Sequence, residues 1–143
     1  MKSKIVKTKV TAQEARLIEA ALLARKKAYA PYSKYLVGSA LLDGEGKVYT
    51  GCNVENASYP AGLCAERTAI VKMVSSGGKK IKSIVVAASS EAPVFPCGMC
   101  LQVIQEFGAD CEVIALSKDG KKVEKASMRT LFPFAFDPEK LQG

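Results

Sequence analysis

Strand signals and helix signals alternate along this chain, and that alternation constrains the fold more than any other feature. Thr11-Ala12-Gln13-Glu14 has the S/T-x-x-E form of a capping box, which satisfies orphan helix-start groups reciprocally. A helix is predicted from there to about Tyr29, with Ile18, Leu22, Arg25 and Tyr29 on one face, and Pro31 disfavours helical geometry at the residue before it. Leu36–Leu42 and Val48–Cys52 read as two strands of a hairpin around Asp43-Gly44-Glu45-Gly46. After a polar stretch, Asn53–Gly62, a helix runs from Cys64 to about Ser76 and is closed by Gly77-Gly78. Ile81–Ala88 is a short apolar strand, and Cys97–Phe107 a helix opened by Pro96 and stopped near Gly108. Glu112–Ser117 and Lys121–Lys125 flank Asp119-Gly120, a two-residue hairpin signal. Ser127 and Asp137-Pro138 have the form of starts of short terminal helices. There is no repeat, low-complexity segment or linker, so residues 1–143 read as one α/β domain around about five strands.

Composition narrows the chemistry. The chain has no histidine, which excludes Ser-His-Asp and Cys-His catalysis, imidazole metal ligands and histidine pH switches. Any catalytic base is then a carboxylate, Lys, Tyr, a thiolate or a metal-bound hydroxide. The formal charge of +7 invites a nucleic acid or an anionic membrane as partner. Its location argues otherwise: residues 1–34 hold nine Lys and Arg against Glu14 and Glu19, and the rest of the chain is neutral. A basic arm at 1–10 followed by a solvated helix face accounts for the excess, with no nucleic acid and no membrane as partner. The apolar run Ala20–Ala24 is too short for a signal-peptide core or a membrane span. A cytoplasmic, reducing setting is expected, in which the five cysteines read as ligands or buried thiols rather than disulfides.

Cys97-Gly98-Met99-Cys100 is a C-x-x-C at a helix start, a spacing shared by redox and structural-zinc sites. Cys64 opens another helix and is followed two residues later by Glu66. Three thiol ligands leave one of zinc's four positions open, as catalytic sites do. The positive end of a helix dipole favours the thiolate, and Cys97 and Cys100, at i and i+3, reach one ion together. Three thiolates around Zn²⁺ carry a net negative charge, which Arg67 would offset. Glu66 is the candidate for moving protons. Asn53 and Glu55, two apart at a strand end, face the same way. Cys52 and Cys111 lack a partner at ligand spacing, fall in predicted strands, and read as small buried hydrophobes.

Cys64-Ala65-Glu66 with Pro96-Cys97-Gly98-Met99-Cys100 matches the zinc-deaminase pattern in an all-cysteine form. Together with Asn53-Val54-Glu55-Asn56-Ala57-Ser58-Tyr59, Tyr29-Ala30-Pro31-Tyr32-Ser33, Val37-Gly38 and Leu131-Phe132-Pro133-Phe134-Ala135-Phe136, it makes the chain resemble the small cytidine deaminases of pyrimidine salvage. The resemblance runs from the first helix nearly to the end. It implies a three-layer α-β-α sandwich, its mixed sheet of about five strands covered by helices on both faces. It further implies Zn²⁺ on Cys64, Cys97 and Cys100 and hydrolytic deamination of cytidine and 2′-deoxycytidine. In that scheme water attacks C4 of the base while Glu66 protonates N3 and relays a second proton to the departing amine.

The same resemblance implies that the Ala65 N–H meets the ring O2, and that Arg67 and Gln102 hydrogen-bond the thiolates. Asn53 and Glu55 hold the ribose, Glu55 accepting from the 3′-hydroxyl, and Tyr59 joins the substrate-binding set. Such a carboxylate repels a 3′-phosphate, which favours free nucleoside over polynucleotide and leaves the 2′-position unconstrained. Tyr35 stands where relatives usually carry Phe against the base, and Phe136 matches a Phe that packs on the base of a neighbouring subunit in a homotetramer. Both also read as core aromatics, and the alternation of Phe132, Phe134 and Phe136 suits a strand or an interface edge. Leu101 occupies a position where Arg is common. Two other functions use the same residues: deamination of a polynucleotide or nucleoside antibiotic, and a non-enzymatic zinc module that binds RNA. Glu66 and the open ligand position argue against the module.

Overall fold

The computed structural model describes residues 9–142, so all but the last two residues of the basic arm lie outside the described residues. Helix α1 (Ala12–Arg25) starts on the expected capping box. The Thr11 hydroxyl accepts from the Glu14 N–H at 3.2 Å, and the Thr11 N–H donates to Glu14 Oε2 at 2.7 Å. The helix ends at Arg25, short of Tyr29, and buries Leu17, Ala21 and Ala24. The expected face therefore loses Tyr29, which lies exposed beyond the helix; Ile18 and Leu22 flank the core, and the residues that reach deepest into it are Leu17, Ala21 and Ala24. Gly38 supplies the reason. A methyl group there would lie 2.1 Å from the Ala21 carbonyl oxygen and 2.4 Å from the Arg25 N, so α1 crosses the sheet on its smallest side chains.

The sheet contains β1 (Val37–Asp43), β2 (Val48–Cys52), β3 (Ile81–Ala88), β4 (Glu112–Leu116) and β5 (Val123–Ser127), in the order β2-β1-β3-β4-β5. Only β3 and β4 run parallel, as their connection through helix α3 (Gly98–Gly108) requires. Helix α2 (Ala65–Ser75) links β2 to β3, and the short α4 (Met128–Leu131) follows β5 on its Ser127 cap. Side chains alternate across β1. Ala40 and Leu42 join Leu17 and Ala21 of α1 on one face, while Leu41 joins Ile70, Met73 and Ile104 of α2 and α3 on the other. The result is the three-layer α-β-α sandwich with a mixed five-stranded sheet.

Three further expectations need correction. Asp119-Gly120 does not form a two-residue hairpin: Leu116 pairs with Val123, and the Ser117 N–H donates to the Lys122 carbonyl at 3.0 Å. The Ser117 hydroxyl bonds Asp119 (2.7 Å) and accepts from the Lys122 N–H (3.0 Å), which widens the loop and moves the start of β5 to Val123. Phe132, Phe134 and Phe136 form no strand, because they follow α4 through a turn; Phe134 is 95% exposed. Cys111 is buried just ahead of β4, and burial pushes its thiol up to about 12, whereas Cys52 is only half-buried at the end of β2. Among the described residues, no helix is long and apolar enough to cross a membrane.

Candidate metal centre and substrate cavity

Two helices present their N-termini to the same point. Cys64 is the N-cap of α2 and Cys97 the N-cap of α3; each backbone is extended, and neither side chain caps its own helix. The sulfurs are therefore free to face one another, at 4.0 Å between Cys64 and Cys97. Cys100, buried in the first turn of α3, completes the group, all three Sγ atoms lying within 4.8 Å of one another. Gly51 of β2 lets α2 lie this close to the sheet: a methyl group there would sit 2.5 Å from the Ala69 N and 2.6 Å from the Ala65 carbonyl oxygen.

Three thiolates around one tetrahedral zinc, at about 2.3 Å each, stand roughly 3.8 Å apart. The spacing of Cys64, Cys97 and Cys100 fits that requirement. The charge environment fits as well. A hydrogen bond from Cys100 draws the Cys64 thiol down to about 5 against the effect of burial, helped by Arg67 and Cys97. Cys100 itself is pushed up, first by holding the shared proton and then by burial. Arg67 Nη2 lies 3.8 Å from Cys64 Sγ and donates to the Gly62 carbonyl at 3.3 Å, while its buried Nε has no partner among the described residues. A cationic group with a spare donor thus stands beside the sulfurs, ready to balance excess negative charge.

Glu66, only 4% exposed, follows in the first turn of α2. Burial raises its carboxyl to about 7, a backbone N–H works against this, and the Cys64 charge adds to the rise. Glu66, Cys64 and Cys97 border a cavity of about 610 Å³, within the range of small-molecule sites. Asn53, Glu55, Tyr35 and Tyr59 border the same cavity, so residues from the α1–β1 loop, the segment after β2 and two helix starts converge.

The structure also shows what those side chains bind within the chain. Asn53, buried after β2, accepts from the Val37 N–H (2.8 Å) and donates to the Tyr35 carbonyl (2.7 Å). Glu55 accepts from the N–H groups of Tyr32 and Ser33 and from the Ser33 hydroxyl, and these bonds keep its carboxyl below the usual range. Tyr59 is 75% exposed and meets Tyr32 edge-on at 5.8 Å between ring centroids.

Four predicted residues stand apart from the cavity wall, one of them Cys100, buried behind the other two sulfurs. Ala65 is fully buried, and Phe136 is half-exposed away from its own chain's cavity. Gln102, expected at the thiolates, instead donates to the Phe136 carbonyl at 2.9 Å and fastens the C-terminal segment to α3. Sequence reasoning missed Ser33, Val94 and Phe95 in the wall. Ser33 lies within the quoted Tyr29–Ser33 motif, and Val94 and Phe95 immediately precede Pro96.

Residues 11–116 match the family model for the "cytidine and deoxycytidylate deaminase zinc-binding region". A cytidine deaminase of Sporosarcina psychrophila is 44% identical over 126 residues, covering 88% of this chain and 93% of the relative. A probable cytidine deaminase of Dictyostelium discoideum is 45% identical over 125 residues, 87% of this chain and 84% of its own. The crystal structure of cytidine deaminase from Burkholderia pseudomallei superposes with a TM-score of 0.81 at 46% identity, over 85% of this chain and 98% of that one.

Proposed function

Since the chain belongs to the cytidine and deoxycytidylate deaminase family and is an enzyme, we propose that it hydrolyses cytidine and 2′-deoxycytidine to uridine and 2′-deoxyuridine, releasing ammonia, with zinc as cofactor. The observation that carries this reading is the meeting of Cys64, Cys97 and Cys100 beside a buried Glu66 at one nucleoside-sized cavity. When bound, zinc supplies Lewis-acid activation of a water at neutral pH. Cys64, Cys97 and Cys100 hold it, and Arg67 offsets the charge of three thiolates. The Glu66 carboxylate accepts a proton from the attacking water and delivers it to N3 of the base as C4 is attacked. It then relays a second proton to the amine, which leaves as ammonia. A buried carboxyl titrating near 7 can both take and give a proton at neutral pH.

At the other end of the cavity, Glu55 accepts from the ribose 3′-hydroxyl and Asn53 braces the wall beside it. Tyr35 and Tyr59 frame base and sugar, and the Ala65 N–H, buried between the cavity-lining Cys64 and Glu66, is the donor to the ring O2 once the base is seated against that helix start. The half-exposed Phe136, outside its own chain's cavity, supports a shared site in a homotetramer, where Phe136 of the partner subunit packs on the base. Residues 1–143 act as one domain that recycles free pyrimidine nucleosides in the cytoplasm, a setting that suits five cysteines without a disulfide.

Ultraviolet-monitored deamination of cytidine, 2′-deoxycytidine, cytosine, deoxycytidine monophosphate and a short single-stranded oligonucleotide tests this reading. The two nucleosides are expected to be the substrates; conversion of the oligonucleotide alone would overturn it. Metal analysis is expected to give about one zinc per chain from the ligand count.

A further inference from the structure

Glu55 lies beyond the end of β2, and its carboxylate reaches back to the loop between α1 and β1. Oε1 accepts from the N–H groups of Tyr32 (3.0 Å) and Ser33 (3.1 Å), and Oε2 accepts from the Ser33 hydroxyl. The polarity of that last bond is set from behind. Ser33 Oγ accepts from the Tyr35 N–H at 3.0 Å, which leaves the hydroxyl proton for Glu55. An ionised carboxylate offers about four acceptor positions and no donor. The chain fills three of them. No fourth partner meets Glu55 among the described residues, and Ser33 and Glu55 border the cavity that contains Glu66 as well as an adjoining hollow beside Tyr32 and Asn56, so the remaining position is left for a donor from outside the chain at this end of the site.

The loop also depends on these bonds. Lys34 has φ 59°, a left-handed conformation that a side chain with a Cβ adopts at a cost. Its neighbours are held on both sides, by Glu55 at Tyr32 and Ser33 and by the Asn53 amide at Tyr35 and Val37.

We propose that Ser33 is a positioning residue for the sugar end of the site: its hydroxyl orients the Glu55 carboxylate and leaves it one acceptor position, matched to a single donated hydroxyl of the substrate. This rests on the reading of Glu55 as the ribose ligand. The chemical class selected is a nucleoside with a free 3′-hydroxyl; a 3′-deoxy or 3′-O-alkyl sugar has no proton to donate there. The same Ser33 bonds hold the Glu55 carboxyl below its usual range, which keeps it an acceptor throughout the neutral region.

The test compares wild type, Ser33→Ala and Ser33→Thr on cytidine and 3′-deoxycytidine, with thermal melting to verify folding. Wild type is expected to favour cytidine. Ser33→Ala is expected to raise the KM for cytidine about tenfold, the scale of a lost charge-assisted hydrogen bond, with kcat within about twofold. It should leave kcat/KM for 3′-deoxycytidine unchanged, and Ser33→Thr, which retains the hydroxyl, should restore the cytidine KM. Equal losses on both substrates would overturn the proposal, since Ser33 would then only shape the loop; an unchanged cytidine KM would overturn it too. If wild type itself does not distinguish the two nucleosides, the ribose reading of Glu55 falls and the proposal with it, an outcome visible before any variant is made.

Discussion

Helices α1 and α2 begin with the same backbone geometry and use it differently. Thr11 (φ −73°, ψ 163°) and Cys64 (φ −71°, ψ 156°) are both extended N-caps, yet Thr11 turns its side chain onto Glu14 and Cys64 caps nothing. Cys97 repeats the second case at α3. A side-chain cap stabilises a helix by about 1 kcal/mol, and an uncapped start gives that up. On the α1 face of the sheet, polar groups close on one another: Thr11 on Glu14, and Glu14 on Lys125 at 2.6 Å. On the α2–α3 face, two helix starts keep three sulfurs and a carboxyl uncommitted to the fold. One sheet thus separates stability on one side from chemistry on the other.

The largest effect expected on the chemical side comes from Glu66→Gln. The amide fills nearly the same volume but neither takes up nor releases a proton at neutral pH, so turnover should fall by about 10³-fold while zinc content stays near one per chain. Steady-state kinetics with metal analysis on the same sample checks both halves. A near-normal rate would remove Glu66 from the mechanism.

A matched pair of glycines sharpens the contrast. Gly38→Ala and Gly51→Ala each force a methyl group into helix backbone, α1 in the first case and α2 in the second. Each should cost about 1–3 kcal/mol of stability, as overpacking does. Their rates should differ. Gly51→Ala displaces the turn that carries Cys64 and Glu66, and kcat should fall by about tenfold or more. Gly38→Ala pushes on the last turn of α1, which leads into the loop at the sugar end of the cavity but not to the sulfurs or Glu66, so its KM should rise while kcat per folded, zinc-loaded chain falls less than in Gly51→Ala. Equal losses in kcat would mean that the two faces are not independent.

These differences also mark what could be read from the chain beforehand. Ile81–Ala88 appears as strand β3 with the expected bounds, and the capping box and both cysteine-led helix starts were legible because each rests on local spacing, whereas the mixed order of the sheet was expected from the family resemblance. The buried face of α1 was not legible, since apolar periodicity weights Ile18 and Leu22 above the alanines that Gly38 admits. Tyr29 leaves the helix because a distant segment captures it: its N–H donates to the Asn53 carbonyl and its carbonyl accepts from the Glu55 N–H. The place of Gln102 likewise depends on Phe136, 34 residues away. Within the candidate site, residue types were readable, but how much of Asn53 and Glu55 is committed to the α1–β1 loop was not.

The smallest effect tests the closed side. Thr11→Ala should lower stability by about 1 kcal/mol and leave kcat unchanged. The Glu14 pair should make part of this side's stability depend on pH. Burial alone would raise the Glu14 carboxyl, but bonds from Lys125 and the Thr11 N–H outweigh it and hold the group below its ordinary value of 4.5. A carboxyl depressed in the folded state stabilises fully above the unfolded value, and the contribution drains away as pH falls through the folded one. Glu112 acts in the opposite sense: burial first, then Glu14 beside it, raise its carboxyl, so ionising it costs stability as pH rises. The comparison is therefore best made in a Glu112→Gln background, with and without Glu14→Gln. The stability difference between those two variants, from denaturant titrations, should be constant from neutral pH down to about 4.5 and shrink below it. A difference that stayed constant below that pH would show that the Glu14–Lys125 contact stabilises α1 by packing rather than by charge, and one that grew on acidification would mean that burial outweighs the bonds and raises the Glu14 carboxyl.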